Sequence, residues 1–240
     1  MNPDWPIPST FPRLEKGEVH LWKVDLTTNH PIHLSSDEQE RADRFKIEKP
    51  RQQFTQARSA LRTLLASHLG TEPAKIEFDY AEHGKPTLQH PETSLHFNVS
   101  HSQDYALIAI ANGIPIGVDI EWLERKADIE ALANRFYSKA EQTELKQLPI
   151  DLRHQAFLNL WTQKEAYLKA LGSGLSRDTR SFAVTLEGGL ATDDREPAAP
   201  SSWSIHPLIP APDYCAAIAA PSTHSTLCQF THTIDLIRRG

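Results

Sequence analysis

The chain has 240 residues, 39% hydrophobic, 23% charged and 8% aromatic, an ordinary composition for one large globular domain or two small ones. With 25 basic against 31 acidic side chains the net charge is −6, which excludes a protein built to coat nucleic acid or an anionic membrane, so any anion site must be local. Two cysteines, Cys215 and Cys228, cannot make a disulfide framework, no apolar run reaches bilayer-spanning length, and the first residues form neither a basic nor an apolar leader, so a soluble, cytoplasmic, reduced protein is expected.

The chain opens on a proline-rich lead, and Glu18 to Leu26 then alternates like a half-buried strand. Ser35 and Glu38 form a capping box for a short helix, and Pro50 lies in the first turn of a longer one that ends near Leu69, before Gly70. That second helix is amphipathic, with Phe54, Ala57, Leu61 and Leu65 as its core face and Arg51, Thr55, Arg58 and Arg62 as a basic stripe beside it. Strands are predicted at Ile76 to Tyr80, Leu95 to Val99 and Tyr105 to Ala111, with Gly84-Lys85-Pro86 in a loop. Asn112-Gly113 reads as a hairpin turn into Ile116 to Glu121, where the period of two sends Asp119 and Glu121 to one face.

Further on, Ser138 and Glu141 form a second capping box for a helix to about Leu148, and a long helix follows Asp151 and stops at Gly172. Strands are expected near Ser181 to Leu186, Trp203 to Pro207, Tyr214 to Ala219 and Cys228 to Leu236, with Glu187 to Ser202 as an exposed hairpin loop. HExxH, CxxC, GxGxxG, the P-loop and GxSxG are all absent, which removes the common zinc, dinucleotide, nucleotide and serine-hydrolase readings.

The chemistry concentrates in two places. On the long helix Trp161, Lys164, Glu165, Leu168 and Lys169 fall on one broad face, and on the strand Asp119 and Glu121 repel each other and need a counter-charge. A divalent cation is the economical one, because Mg²⁺ takes few carboxylates and completes its shell with phosphate oxygens. Either set taken alone also fits a solvated ion-pair surface.

Gly84-Lys85-Pro86, Phe97-Asn98-Val99-Ser100-His101-Ser102, Gly117-Val118-Asp119-Ile120-Glu121 and Trp161-x-x-Lys164-Glu165-Ala166-x-x-Lys169-Ala170-x-Gly172-x-Gly174-Leu175, in that order and with Arg44-Phe45 and Arg135-Phe136 also in place, resemble the signature of the Sfp-type 4′-phosphopantetheinyl transferases. The resemblance covers roughly residues 40 to 185. It implies an α+β fold of two similar α/β halves about a pseudo-twofold, here 1–112 and 113–240, with the cofactor in the cleft between them and a functional monomer. It further implies transfer of the 4′-phosphopantetheine arm of coenzyme A to a serine of an apo acyl- or peptidyl-carrier protein, with Mg²⁺ as cofactor and adenosine 3′,5′-bisphosphate as the other product.

Carried over by position, Asp119, Glu121 and Glu165 would hold the metal, and Glu165 would take the serine proton directly or through water. His101 and Lys164 would contact the pyrophosphate, and Lys169 would position the reacting end. Lys85 and Pro86 would lie by the adenine, Ser100 near the nucleotide phosphates, and Arg58 and Arg41 by the 3′-phosphate. A non-catalytic coenzyme A or carrier-binding module, or a metal-dependent nucleotide pyrophosphate hydrolase, would use the same residues without the transfer. Arg135-Phe136 and Lys139 are the candidates for docking an acidic carrier.

Overall fold

A computed structural model describes residues 5–80, 85–90, 93–124, 128–173, 177–222 and 226–233. Gly84, Gly174 and Leu175 of the motifs lie outside them. The chain forms two compact units, 4–113 together with 226–240, and 114–225 with the first three residues. No described helix is long and apolar enough to cross a membrane.

The first unit is a four-stranded sheet backed by a helix. Its elements are β1 (Val19–Asp25), α1 (Ser36–Asp43), α2 (Glu48–Leu69), β2 (Glu77–Tyr80), β3 (Pro86–His90), β4 (Leu95–Ser102) and β5 (Tyr105–Asn112). A strand from the end of the chain, β11 (Leu227–Thr231), completes the order β11-β1-β5-β4, parallel to β1, while β1, β5 and β4 are antiparallel neighbours. The apolar face of α2 works as its spacing predicts: Ala57, Leu61, Leu64 and Leu65 pack with Trp22, Val24, Phe97 and Ile108 in one core. Each such fully buried Leu or Ile contributes about 1.5–3 kcal/mol. Gly70 ends α2 in the left-handed region, at φ 63°, where a side chain would be strained.

The second unit repeats the plan of sheet and long helix. After β6 (Gly117–Trp122) come α3 (Ile129–Phe136), α4 (Lys139–Gln147), α5 (Arg153–Leu171), β7 (Phe182–Val184), β8 (Leu190–Asp193), α6 (Ala199–Ser202), β9 (Trp203–Leu208) and β10 (Tyr214–Pro221). The antiparallel order is β6-β10-β9, and Phe157, Leu160, Tyr167 and Leu168 of α5 share a core with Cys215, Ala217 and Ala219 of β10. Both cysteines are free thiols.

Four expectations change. Asn112-Gly113 is not a hairpin turn, since β5 pairs with β4 and β1 and β6 pairs with β10; Gly113 uses its positive φ of 79° to leave the sheet after donating to Ser94 O at 2.8 Å. The tight turn is at Gln103-Asp104, between Ser102 and its partner Tyr105. Pro86 opens strand β3, paired with β2, rather than lying in a loop; a first-strand position needs no N–H from proline. The stretch Glu187 to Ser202 is not an exposed loop, because it supplies β8 and α6 and buries Leu190, Asp193 and Ala199. Residues 226–233, placed with the second half by their position in sequence, fold with the first unit through the β1–β11 pairing.

Candidate active site

In the second unit the strand acids meet the long helix. Helix α5 crosses β6 so closely that a Cβ on Gly117 would lie 2.0 Å from Ala166 O and 2.4 Å from Ala170 N, so only glycine permits the contact. Alternation then turns Asp119 and Glu121 toward the same helix. Asp119 is accordingly buried, which removes the reading of a wet strand face. Its Oδ1 lies 2.6 Å from Nζ of Lys169, which also donates to Val118 O at 3.2 Å.

Glu165 and Lys169 lie one helical turn apart on the partly open side of α5. Burial, followed by the negative charge of Asp119, raises the Glu165 carboxyl to about 7; Lys169 pulls against the shift and Glu121 adds to it. Three hard carboxylate donors with one ammonium among them carry excess negative charge, and that donor chemistry fits Mg²⁺. The same two strand acids, after burial, push the thiol of Cys215 up, so this neighbour is an inert thiol and no nucleophile.

Lys164 is not part of this group. Although it adjoins Glu165 in sequence, it is 1% exposed and its Nζ lies 2.7 and 2.8 Å from the two oxygens of Glu141 and 2.7 Å from Phe182 O. Glu141 also accepts from the backbone N–H of Ser138 and Val184. An ammonium so enclosed is held by Glu141 and Phe182 O in the core, whereas the resemblance offers it to a pyrophosphate. The helix face that looked continuous splits, with Trp161, Glu165 and Lys169 half-buried and Lys164 and Leu168 inside.

In the first unit a cavity of about 230 Å³ is lined by Arg41, Phe54, Arg58, Tyr80, Pro86 and His101, among others. Arg58 is the built part of it. Its side chain is 10% exposed, its Nε lies 3.3 Å from Glu38 Oε1, its guanidinium stacks over Phe78 at 5.0 Å, and its Nη1 is buried without a hydrogen-bond partner. Arg41 stacks over Phe54 at 5.0 Å. Two guanidiniums and an imidazole around one cavity suit an anion, and the buried N–H of Arg58 needs an acceptor.

The remaining candidates fall differently. Val99 and His101 share the cavity face of β4, so Ser100 turns to the opposite face, where it is buried. Lys85 precedes Pro86, and its charge is felt at His96, which burial and that lysine together hold below the usual histidine range. Arg62, read as part of the basic stripe of α2, is buried and holds Glu38 at 2.7 Å while donating to Pro73 O and Ile76 O.

Sequence reading missed Glu38 and Glu141 as anchors, having given them only their capping roles. The available signal was their neighbours: Leu160, Tyr167, Leu168 and Leu171 stand at −4, +3, +4 and +7 from Lys164, which puts that lysine on the apolar stripe.

The sequence is similar to those of known proteins. Residues 115–219 match a family model described as the 4′-phosphopantetheinyl transferase superfamily, and residues 26–112 match one described as 4′-phosphopantetheinyl transferase, N-terminal. The chain is 40% identical over 215 residues to the 4′-phosphopantetheinyl transferase HetI of Nostoc sp., covering 86% of this chain and 89% of that one. It is 41% identical over 166 residues to a putative 4′-phosphopantetheinyl transferase of Synechocystis sp., covering 68% of each. The 4′-phosphopantetheinyl transferase Sfp of Bacillus subtilis is 31% identical over 154 residues, 64% of this chain and 66% of its own.

Proposed function

Since the chain belongs to the 4′-phosphopantetheinyl transferase superfamily, we propose that it moves the 4′-phosphopantetheine arm of coenzyme A to a serine hydroxyl of an apo acyl- or peptidyl-carrier protein. The observation that carries this reading is the cluster of Asp119, Glu121 and Glu165 with Lys169 where β6 and α5 touch, Asp119 buried and the other three half-buried. A pure binding module has no use for acids held at such electrostatic cost.

Asp119, Glu121 and Glu165 would hold Mg²⁺, which when bound neutralises charge on the pyrophosphate and on the departing phosphate. Glu165, the acid contributed by the helix, takes the proton of the incoming serine, directly or through water. The bond from serine Oγ to phosphorus forms as the bond to adenosine 3′,5′-bisphosphate breaks, so the reaction asks the protein mainly for positioning and charge. Lys169 orients the reacting end. Arg58 and Arg41 take the 3′-phosphate, His101 the pyrophosphate, and Lys85 with Pro86 the adenine. Support for these roles comes from the cavity that gathers Arg41, Arg58, Pro86 and His101, and from the buried N–H of Arg58 that lacks an acceptor. One chain carries both residue sets, in keeping with a monomer. Arg135 and Lys139, exposed at the end of α3 and the start of α4, are the residues offered to an acidic carrier.

The test is the intact mass of purified apo carrier proteins after incubation with the protein, coenzyme A and Mg²⁺. A gain of one phosphopantetheine arm, absent with Glu165→Gln, is expected. Hydrolysis of coenzyme A without any carrier product would replace this reading with a pyrophosphate hydrolase, and bound but unreacted coenzyme A with a binding module.

A further inference from the structure

We propose that Glu18, His20 and Cys228 form a transition-metal site of the zinc type, separate from the acid cluster, which clips the last strand of the first unit to its first. One ligand atom from each of the three residues lies within 4.8 Å of the others. The register makes this a built arrangement. His20 of β1 and Cys228 of β11 are direct partners across the parallel pair, and Glu18, two residues before His20, shares its face. His20 Nε2 lies 3.6 Å from Glu18 Oε2, and the Cys228 thiol points at Glu18 Oε1 at 3.8 Å.

The donors are one imidazole, one thiol and one carboxylate. A mixed nitrogen, sulfur and oxygen set selects zinc and its neighbours over Mg²⁺, and three protein ligands leave the fourth tetrahedral position to water. His20 is 1% exposed, so its ring is held in place by the core around it, with Nε2 beside Glu18. Burial and Glu18 together raise the Cys228 thiol, so metal binding must release its proton to water. No electron changes hands. The consequence is mechanical, because a metal held by His20 and Cys228 closes a loop of most of the chain, the kind of cross-link that costs the unfolded chain most entropy.

The experiment uses the full-length protein freed of metal by a chelator and desalted. One equivalent of Co²⁺ should produce a thiolate-to-cobalt charge-transfer band together with the visible bands of a tetrahedral ion, and Zn²⁺ should abolish both. Cys228→Ser should lose the charge-transfer band, and Glu18→Gln should weaken Co²⁺ binding by roughly tenfold or more. Both variants should keep the Mg²⁺-dependent transfer, so failure of the metal site and failure of the transferase reading are told apart. In the unmutated protein, Zn²⁺ should slow alkylation of Cys228 by about tenfold or more and raise the unfolding temperature. A missing charge-transfer band, a band that survives Cys228→Ser, or unchanged alkylation of Cys228 overturns the proposal.

Discussion

Lys164 donates to both carboxylate oxygens of Glu141, at 2.7 and 2.8 Å, and so ties the long helix of the second unit to the capping box of the helix before it. Arg62 stands to Glu38 in the same way in the first unit, at 2.7 Å. In both, the third residue after a capping serine does two tasks: it closes the box and holds a buried cation 23 or 24 residues downstream. A shared device at matching spacing is a residue-level trace of two similarly built halves.

Replacing Lys164 by methionine should therefore act on stability. Breaking a buried pair leaves Glu141 uncompensated and costs about 3–5 kcal/mol. Denaturant unfolding should show that loss, and Glu141→Gln combined with Lys164→Met should recover part of it. At a temperature where the variant is folded, its KM for coenzyme A should stay within about twofold of the parent. A KM raised tenfold with unchanged stability would return Lys164 to the substrate.

Gly117→Ala should damage stability and catalysis together. The added methyl must push β6 away from α5, an overpacking cost of about 1–3 kcal/mol. The same displacement moves Asp119 from Lys169 and Glu165, and a shift near 1 Å is worth about 10²-fold in kcat. Thermal unfolding and steady-state kinetics of one preparation check both parts.

Arg58→Gln should raise the KM for coenzyme A by roughly 10- to 100-fold, and change the KM for 3′-dephospho-coenzyme A far less, because a charge-assisted bond to phosphate is lost only where the phosphate exists. Equal effects on both substrates would assign Arg58 to folding, through Glu38 and Phe78.

Acid should destabilise the first unit through buried histidines. Burial, with the neighbouring His30 adding to it, lowers the His232 ring to about 3, and His68 is brought to about 3 by burial and then by His20. Both ring nitrogens of His232 lack hydrogen-bond partners. A histidine depressed in the folded state takes up its proton more readily when unfolded. Stability is then complete above about pH 6.5 and falls as the pH drops toward 3. Urea midpoints from pH 8 to 4 should trace that decline, and His232→Phe should flatten it by on the order of 2–3 kcal/mol at pH 4.

What sequence reveals here is local chemistry with a short reach. The boxes at Ser35 and Ser138, the stops at Gly70 and Gly172 and the strand placing Asp119 beside Glu121 all depend on neighbours within a turn or a pleat, and all are found as expected. The fate of Lys164 depends on Glu141, and that of Arg62 on Glu38; helical phase puts Lys164 on the apolar stripe beside the half-buried Glu165, but the partners that fix the two cations stand 23 and 24 residues away. Asn112-Gly113 misled for a related reason. Positive φ at glycine serves any sharp departure of the chain, and whether the next strand turns back or goes elsewhere is decided by β10, about a hundred residues later. Asp193 was hidden likewise: its bonds to Tyr167 and Arg177 make a core residue of an acid in a stretch that reads as a polar loop.

The return of β11 to the edge of β1 sets an order of events during synthesis. The first 113 residues leave the ribosome early with α2 and three of the four strands of the larger sheet in hand, yet that sheet keeps a bare edge at β1 until residues 227–231 emerge. Residues 114–225 of the second unit, one continuous stretch of chain, are free to fold in the interval. Birth order and completion order are thus reversed, and the nascent chain must shield an open strand edge from its neighbours for as long as translation of the second unit lasts.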